Sequence, residues 1–267
     1  MKRRGEKVTR PVHANVGIKV EYRAKLDRLI SDMHRSYAYW LTARFRANEP
    51  RIAQDAIPAK ALERELRDLG DQWQARFDSA APKLARWFSK RTYQRSDLAL
   101  KRILKEAGVS VQFQMTPVMR DVFEATVGEN VSLIKSISSQ YHTQVEGLVM
   151  RSVSTGRDLG YLTEELQRRF GVTKSRAALI ARDQNNKATA AMNKVRQLEV
   201  GGGEAEAIWL HSHGRKEPRP THLANTGKRY KVAKGWFDPD PKVRRYIQPG
   251  ELINCGCVSR LVVKGFS

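Results

Sequence analysis

The sequence predicts a mainly α-helical protein, with a multi-helix body followed by a small α+β module at its C-terminal end. Apolar residues recur at spacings of three and four along most of the chain before residue 200, which is typical of amphipathic helices. The glycines 201–203 then end the helical pattern, and the residues beyond them are rich in His, Pro and Gly. We therefore expect a basic extended arm over 1–16, a helical body over 17–200 and a C-terminal module over 204–267.

The charge of the chain predicts a polyanionic partner. Its 267 residues include 49 Lys and Arg against 28 Asp and Glu, for a formal net charge of +21 and a pI near 10.3. The basic residues are spread along the whole sequence, which favours contacts with the backbone of double-stranded DNA over reading of its bases. A basic surface that binds no nucleic acid is the alternative.

The pattern of apolar residues and cysteines bears on the cellular compartment. No apolar run reaches the roughly 18 residues that cross a bilayer, and the N-terminus lacks the apolar core of a signal peptide. We therefore expect no membrane partner and a protein that is made in a cytosol. Cys255 and Cys257 are too close in sequence for an ordinary disulfide, so a reducing compartment would leave both as thiols.

The arm over residues 1–16 combines basic side chains with Pro11 and few apolar residues. We interpret it as an extended segment that suits a partner surface or nucleic acid, with terminal disorder as the alternative. The residues expected to bind DNA are Lys2, Arg3, Arg4, Lys7 and Arg10.

Two amphipathic helices are predicted in the first part of the body. Apolar residues at helical spacing run from Ile18 to about Arg46, and again after Pro58. Pro82 should interrupt the second helix, because proline lacks the amide hydrogen that an interior helical residue donates. The aromatic residues of both stripes are expected to pack in the core rather than stack on bases.

Glycine, proline and threonine mark further elements. A short helix over 94–107 should end at Gly108, and the alternating residues 109–113 should form a strand. Thr116 is expected to cap a helix that runs up to Gly156.

The last part of the body should hold two more helices. One of them is closed by Gly171, and the other runs from Thr173 to about Val200. Beyond the glycines, residues 207–210 are predicted to be extended.

Four side chains of the C-terminal module are candidate metal ligands. His211, His222, Cys255 and Cys257 offer two nitrogen and two sulfur donors, a ligand set of structural zinc sites. His213 competes with His211, because only one of them should point inward from an extended segment. A structural zinc ion would add folding free energy to a module with few large apolar residues. In the alternative interpretation the cysteines are small buried apolar residues and the histidines bind loop backbone.

Two charged residues are expected to have structural roles. Prolines on both sides direct the backbone of Arg219, so its side chain should clasp a carboxylate, either Glu251 or Asp238. A phosphate contact is the alternative for this arginine. Asp183 should form ordinary ion pairs with basic residues one or two turns away on its helix.

An enzyme is the alternative from a different functional class. In a metal-dependent nuclease, His211 or His213 would activate water and Asn225 or Asn254 would orient it. The carboxylates that hold a catalytic Mg²⁺ are sparse in the module, and two thiolates would close the coordination shell. A phosphate-binding glycine loop, a nucleophile elbow and an HExxH motif are also absent from the sequence. We therefore predict no catalytic residues.

Segments that span nearly the whole chain follow the order seen in a known family. They are residues 10–17, 33–36, 129–136, 156–158, 179–187, 209–212, 218–222, 227–228 and 249–257. In this order they resemble the Mu F-like head morphogenesis family, whose members are minor head proteins of bacteriophages. Many members have Arg between the two cysteines, where this chain has Gly256.

The resemblance implies a structural virion component, present in few copies, that is assembled in the host cytoplasm and lies at the portal vertex or just inside the capsid. Its expected partners are the portal protein, the major capsid protein and the double-stranded genomic DNA, with several copies around the portal. Its expected roles are head morphogenesis, genome packaging or DNA ejection. A metal-dependent nuclease or toxin-like effector carried in the virion is the alternative, and a host nucleoid-binding protein is another.

Overall fold

The computed structural model describes residues 5–47, 59–154, 159–212 and 218–265, and it confirms a mainly helical chain with a small C-terminal α+β region. The helices of these residues are α1 (Val16–Ala47), α2 (Ala59–Glu106), α3 (Pro117–Ser154), α4 (Leu159–Gly201) and α5 (Pro220–Ala224). The strands are β1 (Glu6–Val8), β2 (Glu206–Leu210), β3 (Arg229–Lys231), β4 (Trp236–Asp238), β5 (Arg245–Ile247) and β6 (Val258–Lys264).

The chain divides into two compact units. The first unit comprises Met1–Lys19, Trp87–Val127 and Arg182–Ser267, and the second unit comprises Val20–Arg86 and Gly128–Ala181. The first unit includes residues of the expected arm, of the helical body and of the C-terminal module. The division of the chain into these three parts stays a prediction. Among the described residues, no helix combines the length and the apolar character that crossing a bilayer requires.

The strands of the first unit form two antiparallel sheets. The larger sheet has the order β1-β6-β2-β3, and β4 pairs with β5 in the smaller one. The segment of the arm at Glu6–Val8 therefore pairs with the C-terminal strand of its own chain. Fully buried Trp209 lies on β2, and its ring is at the centre of the apolar residues packed around this sheet.

Several predicted helix ends are confirmed. The amide of Met119 donates to the hydroxyl of Thr116 at 3.3 Å, and α3 begins at Pro117, as expected for a capping threonine followed by a first-turn proline. Helix α2 ends just before Gly108, and α4 ends at Gly201. Gly108 and Gly202 both have positive φ angles, which lets the chain turn away from each helix.

Two predicted helix breaks and one predicted strand were wrong, and residues 94–106 of the separate short helix predicted over 94–107 form the last part of α2. Helix α2 continues through Pro82, because the flanking apolar residues are buried and their packing outweighs the lost hydrogen bond. Helix α4 likewise continues through Gly171 and Thr173, and the threonine hydroxyl donates to the carbonyl of Arg169 within the same helix. Residues 109–113 form no strand: they pack alternate apolar side chains against the core without pairing to a neighbouring strand.

The second unit buries polar rings as well as aliphatic side chains. The hydroxyl of Tyr22 donates to Asn130 Oδ1 at 2.8 Å, and His34 Nδ1 lies 2.7 Å from the hydroxyl of Tyr141. Burial raises the pKa of both tyrosines and lowers the pKa of His34, because each charged form would be poorly solvated. These rings are therefore uncharged parts of the core, as the helical spacing of the aromatic residues predicts.

The first unit contains a buried guanidinium. The side chain of Arg196 on α4 is 1% exposed. It forms a two-point contact with Asp97 at 2.8 and 2.9 Å, and donates to Glu199 Oε2 and to the carbonyl of Gln114. The Cζ atom of Arg196 also lies 4.7 Å from the ring centroid of Phe113. Burial alone would lower the pKa of Arg196, but the bonds to its two carboxylates raise it, so it stays charged.

Replacing Arg196 by Met should destabilise the first unit by about 3–5 kcal/mol, because Asp97 would keep a largely buried charge without its partner. Urea denaturation followed by circular dichroism measures the change. The double variant Arg196→Met with Asp97→Leu should regain part of the loss, since it removes both charges. Arg102→Ala is the control, because this side chain is 82% exposed, and it should leave the midpoint unchanged. An equal loss in the single and double variants would contradict the assigned role of the pair.

Candidate functional site

Three of the predicted metal ligands come together in the first unit. His222 lies on the short helix α5, and Cys255 and Cys257 lie in the loop that leads into β6. Their donor atoms all lie within 4.8 Å of one another. Each of the three residues is buried, with at most 4% of its surface exposed. Among the described residues this is the group of side chains best suited to hold a metal ion.

The imidazole of His222 faces the two sulfurs with one nitrogen and a carboxylate with the other. Its Nδ1 lies 3.4 Å from Cys255 Sγ and 3.6 Å from Cys257 Sγ. Its Nε2 lies 3.2 Å from Oδ2 of Asp238, which is completely buried at the end of β4. A carboxylate at Nε2 favours the tautomer with the proton on that nitrogen, so the lone pair of Nδ1 points toward the sulfurs.

Aromatic rings surround this histidine. The centroid of Trp209 is 5.1 Å from the centroid of His222 in an edge-to-face arrangement, and the centroid of Trp236 is 6.3 Å away. Because these rings keep water from the imidazole, electrostatic interactions inside the group are stronger than they would be at the surface.

The two thiols titrate as a pair. A hydrogen bond with Cys257 lowers the pKa of Cys255; burial opposes this shift and His222 adds to it. The same hydrogen bond raises the pKa of Cys257, and burial adds to the rise, because its ionisation would place a second negative charge beside the first. The pKa values of the two thiols therefore shift in opposite directions.

His211 is not part of this group. Strand β2 ends before His211, whose side chain is buried but whose donor atoms lie outside the cluster of His222 and the cysteines. The residue of this strand that packs on His222 is Trp209. His213 lies outside the described residues. The placement of His211 among the ligands is thus corrected, because the strand presents an indole where its imidazole was expected, and the alternative ligand His213 stays a prediction.

Helix α4 positions the loop that carries the cysteines. Asp183 accepts a hydrogen bond from the amide of Asn254, and Arg182 donates to the side-chain oxygen of Asn254 at 2.6 Å. Asn186 donates to the carbonyl of Cys255 at 3.2 Å. Asn254 has a φ of 61°, a left-handed conformation that asparagine tolerates better than most residues.

The structural role of Asp183 was only partly predicted. Its ion pair with Lys187 is present at 3.2 Å, as expected for residues one turn apart. Its bond to the loop was missed, because a contact between residues 71 positions apart leaves no periodic signal in the sequence.

The clasp predicted between Arg219 and Glu251 is replaced by three other contacts. Arg219 donates to the carbonyl of Ile253 at 3.1 Å, which still joins α5 to the loop before the cysteines. Glu251 instead pairs with Arg245 and accepts from the amide of Gln248. The partners differ because Arg245 on β5 lies beside this carboxylate, and Asp238 is occupied by His222.

Two basic residues of the arm, Lys7 and Arg10, have partners within the chain. Lys7 donates to the carbonyl of Ala107 at 3.1 Å, and Arg10 pairs with Glu106 at the end of α2. Lys2, Arg3 and Arg4 lie outside the described residues. DNA binding by the arm stays a prediction: Lys7 on β1 and Arg10 beyond it are exposed, and both contact the chain near the end of α2.

Comparison with known proteins confirms the family resemblance. Residues 143–260 match the family model described as phage Mu protein F like protein. The chain is also 30% identical over 209 residues to an uncharacterized protein of Haemophilus influenzae (strain ATCC 51907 / DSM 11121 / KW20 / Rd). The similarity covers 76% of this chain and 43% of that protein, so the chain spans less than half of the relative's length. No solved structure matches the chain.

Replacing Asp183 by Ala should loosen the loop that carries the cysteines. With the metal chelator EDTA present, we expect both thiols to react roughly tenfold faster with a disulfide reagent, because the lost bond to a charged acceptor contributes about 1.5 kcal/mol. The matched control is Asp32→Ala, which removes an exposed carboxylate in the second unit and should leave the rate unchanged. Equal rates for Asp183→Ala and the parent chain would contradict the anchoring role.

Proposed function

Since the chain belongs over residues 143–260 to the phage Mu protein F-like family, we propose that it is a structural minor head protein that lies at the portal vertex and contacts packaged DNA. The family match is the observation that carries this proposal. The family is one of phage head morphogenesis proteins, which implies a location in the virion and interaction with other head proteins. The portal and major capsid proteins are the proposed partners, because they form the vertex.

The proposed DNA contact rests on the distribution of exposed charge. Helix α2 has no acidic residue between Trp87 and Ser96, and its exposed basic side chains continue toward its C-terminal end. The acidic residues beyond that stretch are occupied, Asp97 by buried Arg196 and Glu106 by Arg10. The exposed basic residues of this surface are Lys90, Arg91, Arg95, Arg102 and Lys105.

A groove beside this surface adds hydrogen-bond donors. Arg91 and Arg95 line it together with Asn15 and Gln94, and its volume is about 330 Å³. Guanidinium and amide groups donate well to phosphate oxygens, and such contacts to the DNA backbone do not depend on base sequence. A protein that faces packaged genome of any sequence needs this kind of contact.

The arrangement around His222 supports a binding role over a hydrolytic one. The donor atoms of the cluster are one nitrogen and two sulfurs, and the nearby carboxylate of Asp238 bonds to the opposite side of the imidazole. A general base must lie within hydrogen-bonding reach of the water that it activates. His222 is buried, and both of its ring nitrogens already face other side chains. Cutting of plasmid DNA in the presence of Mg²⁺, Mn²⁺ or Zn²⁺, abolished by His222→Ala, would instead support the nuclease alternative.

Neutralising the exposed cations of α2 should weaken DNA binding. In the triple variant Lys90→Gln, Arg91→Gln and Arg95→Gln, log affinity should decrease less steeply with log salt concentration. The slope should become shallower by about one unit for each phosphate contact removed. Filter binding to duplex DNA over a range of salt concentrations measures this slope.

The control for the salt experiment removes the same charge elsewhere in the first unit. The triple variant Lys228→Gln, Lys234→Gln and Lys242→Gln changes exposed lysines that lie before β3, before β4 and between β4 and β5. It should keep the parent slope. Equal slopes for the two triple variants would refute the α2 surface, and an affinity of the parent chain that does not respond to salt would refute DNA binding.

The proposed location is tested on phage particles. Mass spectrometry of purified virions should detect this polypeptide, and a reconstruction of the portal vertex without imposed high symmetry should show it there in few copies. Virions that lack the polypeptide would refute the structural role and leave a host DNA-binding protein or a non-virion effector.

A further inference from the structure

The cluster of His222, Cys255 and Cys257 has the dimensions of a metal site. Zinc binds sulfur at about 2.3 Å and nitrogen at about 2.0–2.1 Å, so tetrahedral angles separate the two donors by about 3.6 Å. The sulfurs lie 3.4 and 3.6 Å from Nδ1 of the histidine. Both sulfurs are thus at the distance from the nitrogen that a shared zinc ion requires.

The alternative, a cluster of neutral buried groups, explains this geometry less well. The lone pair of His222 Nδ1 can accept one hydrogen bond, and a thiol is a weak donor. Two sulfurs lie at nearly the same distance from this nitrogen, so at most one of them can donate to its lone pair. A cation between the three donors interacts with all of them at once.

Asp238 supplies the outer contact that metal-binding histidines usually have. Its Oδ2 lies 3.2 Å from His222 Nε2, while its other oxygen accepts from the amide of Asp240 at 3.0 Å. A buried carboxylate in this position orients the ring and makes the opposite nitrogen a better ligand. The carboxylate is completely buried, and the imidazole and the amide of Asp240 are partners of its two oxygens.

We propose that His222 Nδ1, Cys255 Sγ and Cys257 Sγ bind a zinc ion, with Asp238 as the residue that orients His222. These atoms supply three of the ligands of a tetrahedral site. The ion joins α5 to the loop before β6, segments separated by more than 30 positions in the sequence. Its role is structural: it holds these segments together and adds to the free energy of folding. The inference does not depend on the proposed role in the phage head.

Metal content of the purified full-length chain tests the site. Elemental analysis under reducing conditions should find about one zinc per chain. Replacement of zinc by Co²⁺ should produce thiolate-to-cobalt charge-transfer absorption in the near ultraviolet, which requires sulfur ligands. A chain that neither contains zinc nor binds added Co²⁺ would overturn the proposal. A disulfide between the two cysteines in protein purified under reducing conditions would also overturn it.

Single substitutions distinguish the proposed metal ligands from Asp238, which contacts a ligand but not the metal. His222→Gln, Cys255→Ser and Cys257→Ser should each lose the zinc, whereas Asp238→Asn should bind it about 10- to 100-fold more weakly. His34→Gln is the matched control, because His34 is also buried and hydrogen-bonded but lies in the second unit, and it should retain zinc. Full zinc binding by the serine variants, or unchanged affinity in Asp238→Asn, would contradict the assigned roles.

A measurement on the unaltered chain covers the case in which the ligand variants fail to fold. The two cysteines are the only ones in the sequence, so thiol counting reports on this site alone. Both should resist modification until EDTA removes the metal and then react. Equal reactivity with and without the chelator would overturn the proposal, whereas loss of DNA binding in the α2 variants would leave it untouched.

Discussion

The interior of the first unit depends on polar side chains that helix α4 carries into it. A buried polar group must be paired, because leaving it without a partner costs more free energy than the bond itself contributes. Arg196 meets this requirement with Asp97, and Gln197 with the hydroxyl of Ser259 at 2.8 Å. Farther up the helix, Asn185 donates to the carbonyl of Asn15, and Asn186 to the carbonyl of Cys255. Such bonds are directional, so they fix where the loops and strands packed on α4 must lie.

The cluster around His222 follows from this constraint. Helix α4 holds the loop with Asn254 and Cys255 from one side, through bonds to the backbone amide and carbonyl. On the other side, Trp209 and Asp238 fix the orientation of the imidazole. Gly256 lets the loop pass close to Ser212, since a Cβ atom at this position would lie 2.8 Å from the serine Oγ. The sequence matched by the family model contains both sides of this arrangement.

The basic residues have two separate physical roles. Some hold the fold together: Arg196 is buried among carboxylates, and Arg229 binds Glu6 and Glu206 across the larger sheet. Others, such as Lys90 and Arg95 on α2, are exposed in a stretch of helix without acidic residues. The net charge of +21 reflects this second set, because each internal ion pair largely cancels itself. A strongly basic composition is therefore compatible with a conventionally packed interior.

The helical class, the α+β character of the C-terminal region, the cap at Thr116 and the resemblance to the family could be predicted from the amino-acid sequence, because these depend on local spacing and on ordered motifs. His222, Cys255 and Cys257 could also be selected as candidate ligands, since few residue types can bind a metal. The tertiary structure was needed to show that Pro82 and Gly171 lie within continuous helices, where packing outweighs local preference. It also excluded His211 from the cluster and gave Asp183, Asp238 and Arg219 their partners. Contacts between residues far apart in the chain depend on how the elements pack, and no short-range pattern encodes them.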